Sequence, residues 1–219
     1  MRDLSIRGAG NLLGKQQHGF IDSVGYDLYS SMLADAVATK QGKKRPIKSN
    51  AEVELGVEAY LPSDYIADPR QKIELYKQVR RVQSEEDLTN LAGNLIDRFG
   101  NYQTPVANLL TIGAIKMFAD QAMLSAVERK RDNIYVTFTV AGSKKISAPQ
   151  VIQALTKTRF KATMDEKEDG ALSIRLVIQP KMTEQDWLNQ LLDFIRELGR
   201  RVQESTNQPE GKETNDATG

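Results

Sequence analysis

The stretch Asn133-Ile134-Tyr135-Val136-Thr137-Phe138-Thr139-Val140 decides the fold class, because apolar and polar residues alternate through it with the two-residue period of a half-buried strand. Ile134, Val136, Phe138 and Val140 face one way, against Tyr135, Thr137 and Thr139 on the other. Leu124 to Glu128 offers a partner strand across the polar turn Arg129 to Asn133. On the C-terminal side, Ser147-Ala148-Pro149 opens a short helix through Val151, Ile152 and Leu155. Phe160, Ala162 and Met164 then alternate, as do Leu172, Ile174, Leu176 and Ile178 beyond the charged turn Asp165 to Gly170, which predicts a hairpin. The capping box Thr183-Glu184-Gln185-Asp186 starts a last helix whose stripe is Trp187, Leu188, Leu191, Leu192, Ile195 and Leu198.

On the N-terminal side the period is helical. Thr104-Pro105 reads as a cap followed by proline at the first helical position, ahead of Val106, Leu109, Leu110 and Met117. Ser84-Glu85-Glu86-Asp87 is a capping box for a helix with the stripe Leu88, Leu91, Leu95, Ile96 and Phe99, stopped by Gly100. A third helix spans about Pro69 to Gln83, with Ile73, Tyr76 and Val79 on one side. Val53, Leu55, Val57 and Ala59 alternate with polar residues as a strand that ends at Leu61-Pro62. Strands and helices thus come in clusters. That predicts an α+β fold, a small mixed or antiparallel sheet packed with several helices, and not a doubly wound parallel sheet.

Upstream lies a different texture. Arg2 to Gly25 carries Gly8, Gly10, Gly14, Gly19 and Gly25 among Leu12, Leu13, Phe20, Ile21 and Val24, which is loop chemistry that packs on something. A helix with Leu28, Tyr29, Met32, Leu33, Ala36 and Val37 follows, then the basic, polar run Lys40-Gln41-Gly42-Lys43-Lys44-Arg45-Pro46, a linker. After Val202 almost nothing is apolar, so a disordered tail is expected. The expected division is residues 1–48, residues 49–202 as one domain, and the tail 203–219.

Composition narrows the chemistry. The 219 residues are 40% hydrophobic and 27% charged with a net charge of +1, which gives no whole-protein positive field for indiscriminate phosphate binding. The absence of cysteine removes zinc ribbons, iron–sulfur clusters and thiol nucleophiles, and the single histidine, His18, leaves no multi-histidine metal site. No apolar run approaches the roughly 20 residues that span a bilayer, and the first residues have no signal-peptide core, so the expected location is the cytoplasm and no membrane partner is expected. Trp187 lies on an apolar stripe and is expected in the core.

The loop Arg7-Gly8-Ala9-Gly10-Asn11-Leu12-Leu13-Gly14-Lys15-Gln16-Gln17 approaches two phosphate-cradling patterns and misses both. Ala9 replaces the first glycine of a P-loop and Gln16 its magnesium-ligating hydroxyl, while Leu13 fills the third glycine position of a dinucleotide fingerprint. The same residues, with Arg2-Asp3-Leu4 before them and Val24-Gly25-Tyr26-Asp27-Leu28-Tyr29 after, resemble the end of the translocation motif of the transcription-repair coupling factor (Mfd) family, a motif shared with the branch-migrating helicase RecG. Val53-Glu54-Leu55, Leu61-Pro62-Ser63-Asp64-Tyr65-Ile66, Asp68, Leu75-Tyr76-Lys77 and Leu95-Ile96-Asp97-Arg98-Phe99-Gly100 are similar, in the same order, to that family's C-terminal domain.

The resemblance implies a C-terminal fragment of an ATP-dependent double-stranded DNA translocase that displaces stalled RNA polymerase and recruits nucleotide excision repair through UvrA. It implies that Arg7 and Gln17 couple ATP hydrolysis to movement, with Gly8, Gly10 and Gly14 letting the loop bend against the motor. A guanidinium fork and a primary amide are groups able to transmit such a rearrangement. It implies further that Asn94, Asp97 and Arg98 belong to a helix face that docks intramolecularly on the damage-recognition-protein-binding module and holds the protein repressed; the family commonly has glutamate where Asn94 stands. The expected fragment is a non-enzymatic, monomeric regulatory piece that needs no cofactor itself, ATP and magnesium belonging to the parent's motor. The competing reading is a stand-alone nucleic-acid-binding module that uses Lys40, Lys43, Lys44, Arg45 and Lys48 of the linker.

Overall fold

The computed structural model describes residues 50–207, and the glycine-rich stretch, the helix expected after it and the basic run that follows lie outside them. Five strands form one sheet in the order β1-β2-β3-β5-β4. The strands are β1 (Glu52–Glu54), β2 (Leu124–Lys130), β3 (Asn133–Phe138), β4 (Lys161–Glu166) and β5 (Leu172–Val177). Only the β1–β2 pair is parallel; the others are antiparallel, so the mixed α+β architecture is as expected. The helices are α1 (Pro69–Arg81), α2 (Glu85–Phe99), α3 (Thr104–Gln121), α4 (Val140–Ser143), α5 (Ala148–Leu155) and α6 (Glu184–Asn207).

The sheet has one dry face and one wet one. Val127, Ile134, Val136, Ile174 and Leu176 are fully buried on the first, where α3 packs on β1 and β2 and α6 packs on α3. On the second, Glu128, Tyr135, Arg175 and Thr163 stand in register across four strands, a row of polar groups that water can solvate. Trp187 of α6 joins the core as expected, with the Arg129 guanidinium 4.9 Å from its ring centroid. The core helix α3 is buried on nearly every side, since it meets α6, α1, α2 and the β1–β2 edge at once.

Several boundaries depart from the sequence reading. The strand expected through Ala59 pairs only over Glu52–Glu54, because Gly56 takes a φ of +63° and turns the chain out of the ladder while Leu55 and Ala59 still bury. The first helix ends at Arg81, and the cap of α3 is Gln103, with Thr104 and Pro105 inside the first turn. Val140 does not continue β3; it is 40% exposed and begins α4, which the Thr139 hydroxyl caps by accepting from the Gly142 N–H at 3.0 Å. The final helix runs through Asn207, past the expected start of a disordered tail, and Gln203 donates to the Gln121 carbonyl at 2.8 Å. Residues 208–219 lie outside the described set.

Candidate docking face

Helix α2 carries the residues singled out for docking, and the structure shows how it is held. At its start the capping box is realised: the Asp87 N–H donates to the Ser84 hydroxyl at 3.1 Å, and the Ser84 N–H donates back to the Asp87 carboxylate at 3.1 Å. That carboxylate also accepts from the Gln83 N–H at 3.0 Å, and these backbone donors lower its pKa. At its end Gly100, with φ +84°, donates to the Ile96 carbonyl at 2.8 Å. The Tyr65 hydroxyl lies 2.9 Å from the Gly100 carbonyl and 3.1 Å from that of Leu95, so one phenol serves two C-terminal carbonyls of the helix. Burial raises the Tyr65 pKa above its ordinary value, keeping the hydroxyl a neutral donor.

Leu91 and Leu95 anchor α2 to the core. Ile96 does not join them: at 42% exposed it stands on the outer side, and Leu88 and Phe99 are only partly buried. The apolar stripe of this helix is therefore narrower than its sequence suggests, since a fifteen-residue helix lying on the rim of the core contacts it along one edge.

The flank beside Leu91 is polar. Asn94, Asp97 and Arg98 are all exposed, as expected, and with Asn90 they form a row at i, i+4, i+7 and i+8 along one face. Asn90 and Asn94 border a shallow depression of about 270 Å³ whose far wall is Gln78, Arg81 and Val82. Arg98 borders a second, of about 190 Å³, with Arg70, Gln71, Glu74, Leu75 and Gln78. Both open along the seam between α1 and α2. The α1 side of that seam was not foreseen, although Arg70, Glu74, Gln78 and Arg81 recur at i, i+4, i+8 and i+11 and so mark a polar stripe.

The other motif residues, Arg7, Gly8, Gly10, Gly14 and Gln17, lie outside the described residues, as do His18 and the linker lysines. Among the described residues no group of three or more His, Cys, Asp or Glu side chains could hold a metal ion, and no helix is long and apolar enough to cross a membrane. The seam is a surface of amides and charges carried on two helices.

Residues 55–150 match the model of the TRCF domain. A transcription-repair-coupling factor of Staphylococcus epidermidis is 41% identical over 198 residues, covering 90% of this chain and 16% of that protein. One of Staphylococcus aureus is 40% identical over 207 residues, covering 94% of this chain and 17% of its own length. The chain therefore spans about one sixth of the length of the curated relatives it matches. A crystal structure of the C-terminal domain of transcription-repair coupling factor superposes with a TM-score of 0.68 at 35% identity, over 73% of this chain and 98% of that one.

Proposed function

The chain belongs to the transcription-repair coupling factor family and carries its C-terminal domain, and from that premise we propose that residues 50–207 are a non-catalytic regulatory domain that restrains a DNA-translocating motor by docking on its damage-recognition-protein-binding module. The parent in this reading is an ATP- and magnesium-dependent translocase on double-stranded DNA that displaces stalled RNA polymerase and hands the lesion to excision repair through UvrA. The upstream residues Arg7, Gly8, Gly10, Gly14 and Gln17 are the end of its coupling motif.

One observation carries the docking role. Asn94, Asp97 and Arg98 stand together, exposed, on a helix whose two ends are locked by the Ser84–Asp87 box and by Tyr65. A row of polar side chains that the domain's own core does not use, presented on an immobilised backbone, is suited to specific recognition. Exposed charges on a helix add little to stability, so their presence costs the fold almost nothing and leaves them available to a partner.

The test is charge reversal in the parent protein. Asp97→Arg together with Arg98→Glu is expected to expose the damage-recognition-protein-binding module, raising UvrA capture and ATP turnover relative to the wild type. Unchanged UvrA capture in a variant that folds normally would show that this face does not restrain the module.

A further inference from the structure

We infer that the docking face extends from α2 onto α1, where Arg70 and Arg98 together receive one carboxylate of the docked module; this rests on the docking reading above. Four arginines elsewhere in the domain find counter-charges inside it. Arg159 pairs with Asp186, Arg196 with Asp193, and both Arg200 and Arg201 with Glu197. Arg70 and Arg98, from two different helices, line the same notch of about 190 Å³, and among the described residues neither guanidinium has a hydrogen-bond or ion-pair partner.

Two forked cations facing one depression repel each other, and each leaves five N–H donors to water. An anion between them relieves the repulsion and takes bidentate hydrogen bonds, the geometry in which arginine outperforms lysine. Arg98 is held for this purpose: its guanidinium carbon lies 4.9 Å from the centroid of the Phe99 ring, and that ring packs at 5.9 Å, tilted 58°, against Tyr65. Less side-chain freedom is then lost on docking.

The surroundings select the kind of anion. The notch is smaller than the roughly 300–1,000 Å³ of small-molecule sites, so it suits a side chain, not a nucleotide. Glu74 stands in its wall with the two arginines, so the notch already carries charge of both signs. A carboxylate in the wall disfavours a polyanionic duplex. It favours a protein surface of mixed sign, with an acidic residue at Arg70 and Arg98 and a basic one opposite Asp97.

A double-mutant cycle tests the shared carboxylate. The dissociation constant of the 219-residue chain for the parent's isolated damage-recognition-protein-binding module is measured for the wild type, Arg70→Ala, Arg98→Ala, the double variant and Asp97→Ala, with matching thermal melts as the folding control. Each single arginine variant is expected to weaken binding about tenfold, and the double variant scarcely more than either, because the two forks hold one anion. Weakening by Asp97→Ala and Arg98→Ala with Arg70→Ala at wild-type affinity would overturn the inference while leaving the docking reading intact. Strictly additive losses would show separate contacts and overturn the shared carboxylate. No binding by the wild-type chain would sink both readings. Loss of salt-dependent duplex DNA binding in the arginine variants, with module affinity unchanged, would assign the notch to nucleic acid and contradict it.

Discussion

The Tyr65 hydroxyl reaches the Gly100 carbonyl at 2.9 Å, tying the loop before α1 to the last turn of α2 across 35 residues of sequence. Asp97 and Arg98 sit in that same last turn. The phenol therefore fixes the backbone on which the docking residues are carried, and the ring of Phe99 against Tyr65 adds an apolar contact to the hydrogen bond.

Removing the hydroxyl alone isolates this contribution. Tyr65→Phe keeps the ring and leaves the Leu95 and Gly100 carbonyls to water, so a loss of about 0.5–1.5 kcal/mol in urea unfolding is expected. The same variant should bind the docking module less tightly than its small stability loss explains, because the end of α2 becomes free to fray.

Two glycines give opposite outcomes. A Cβ on Gly142 would meet the Met123 carbonyl at 2.6 Å and the Met123 Cβ at 2.8 Å, both near the rigid backbone, so Gly142→Ala should destabilise by about 2–3 kcal/mol. A Cβ on Gly93, inside α2, meets nothing within 4 Å, and Gly93→Ala should stabilise by about 0.5–1 kcal/mol through helix propensity. Equal effects of the two in chemical denaturation would contradict the packing described.

Acid should loosen α6 in a defined window. Hydrogen bonds from Arg200, and then from Arg201, hold the Glu197 pKa down to about 2 against the opposing push of burial. The folded-state pKa is lowered, so this carboxylate stabilises the fold fully above its unfolded value of 4.5 and loses that contribution as pH falls toward 2. The stability difference between the wild type and Glu197→Gln is expected to be largest above pH 5 and to shrink through that window. A pH-independent difference would mean the two arginines do not act through the ionised form.

Enzymology of the chain by itself provides a further check. The purified 219-residue protein is expected to sediment as a monomer and to release no phosphate from ATP above a denatured control. Turnover that survives further purification would refute the non-catalytic assignment.

Much of this was legible in the chain because local chemistry and tertiary packing agree. The Ser84–Asp87 and Thr183–Asp186 boxes, the Ile134–Phe138 alternation and the 160–178 hairpin all appear where their residues point. The misses share a cause. Gly56, Val140 and Ile96 each carry a pattern that continues in sequence, while the sheet edge, a capping threonine and the rim of the core end it in space. The exposed side of α2 could be read from its period. That α1 lies beside it, bringing Arg70 to Arg98, depends on helix packing that no single-segment period contains.

The central claim is that this domain restrains a motor by docking. Adding the 219-residue chain in trans to the parent protein truncated of its C-terminal domain tests it most directly, with UvrA binding and ATP turnover as readouts. Suppression of both by the wild-type chain, and weaker suppression by Asp97→Arg with Arg98→Glu, is the predicted result. Full UvrA binding and undiminished turnover at saturating chain would contradict it.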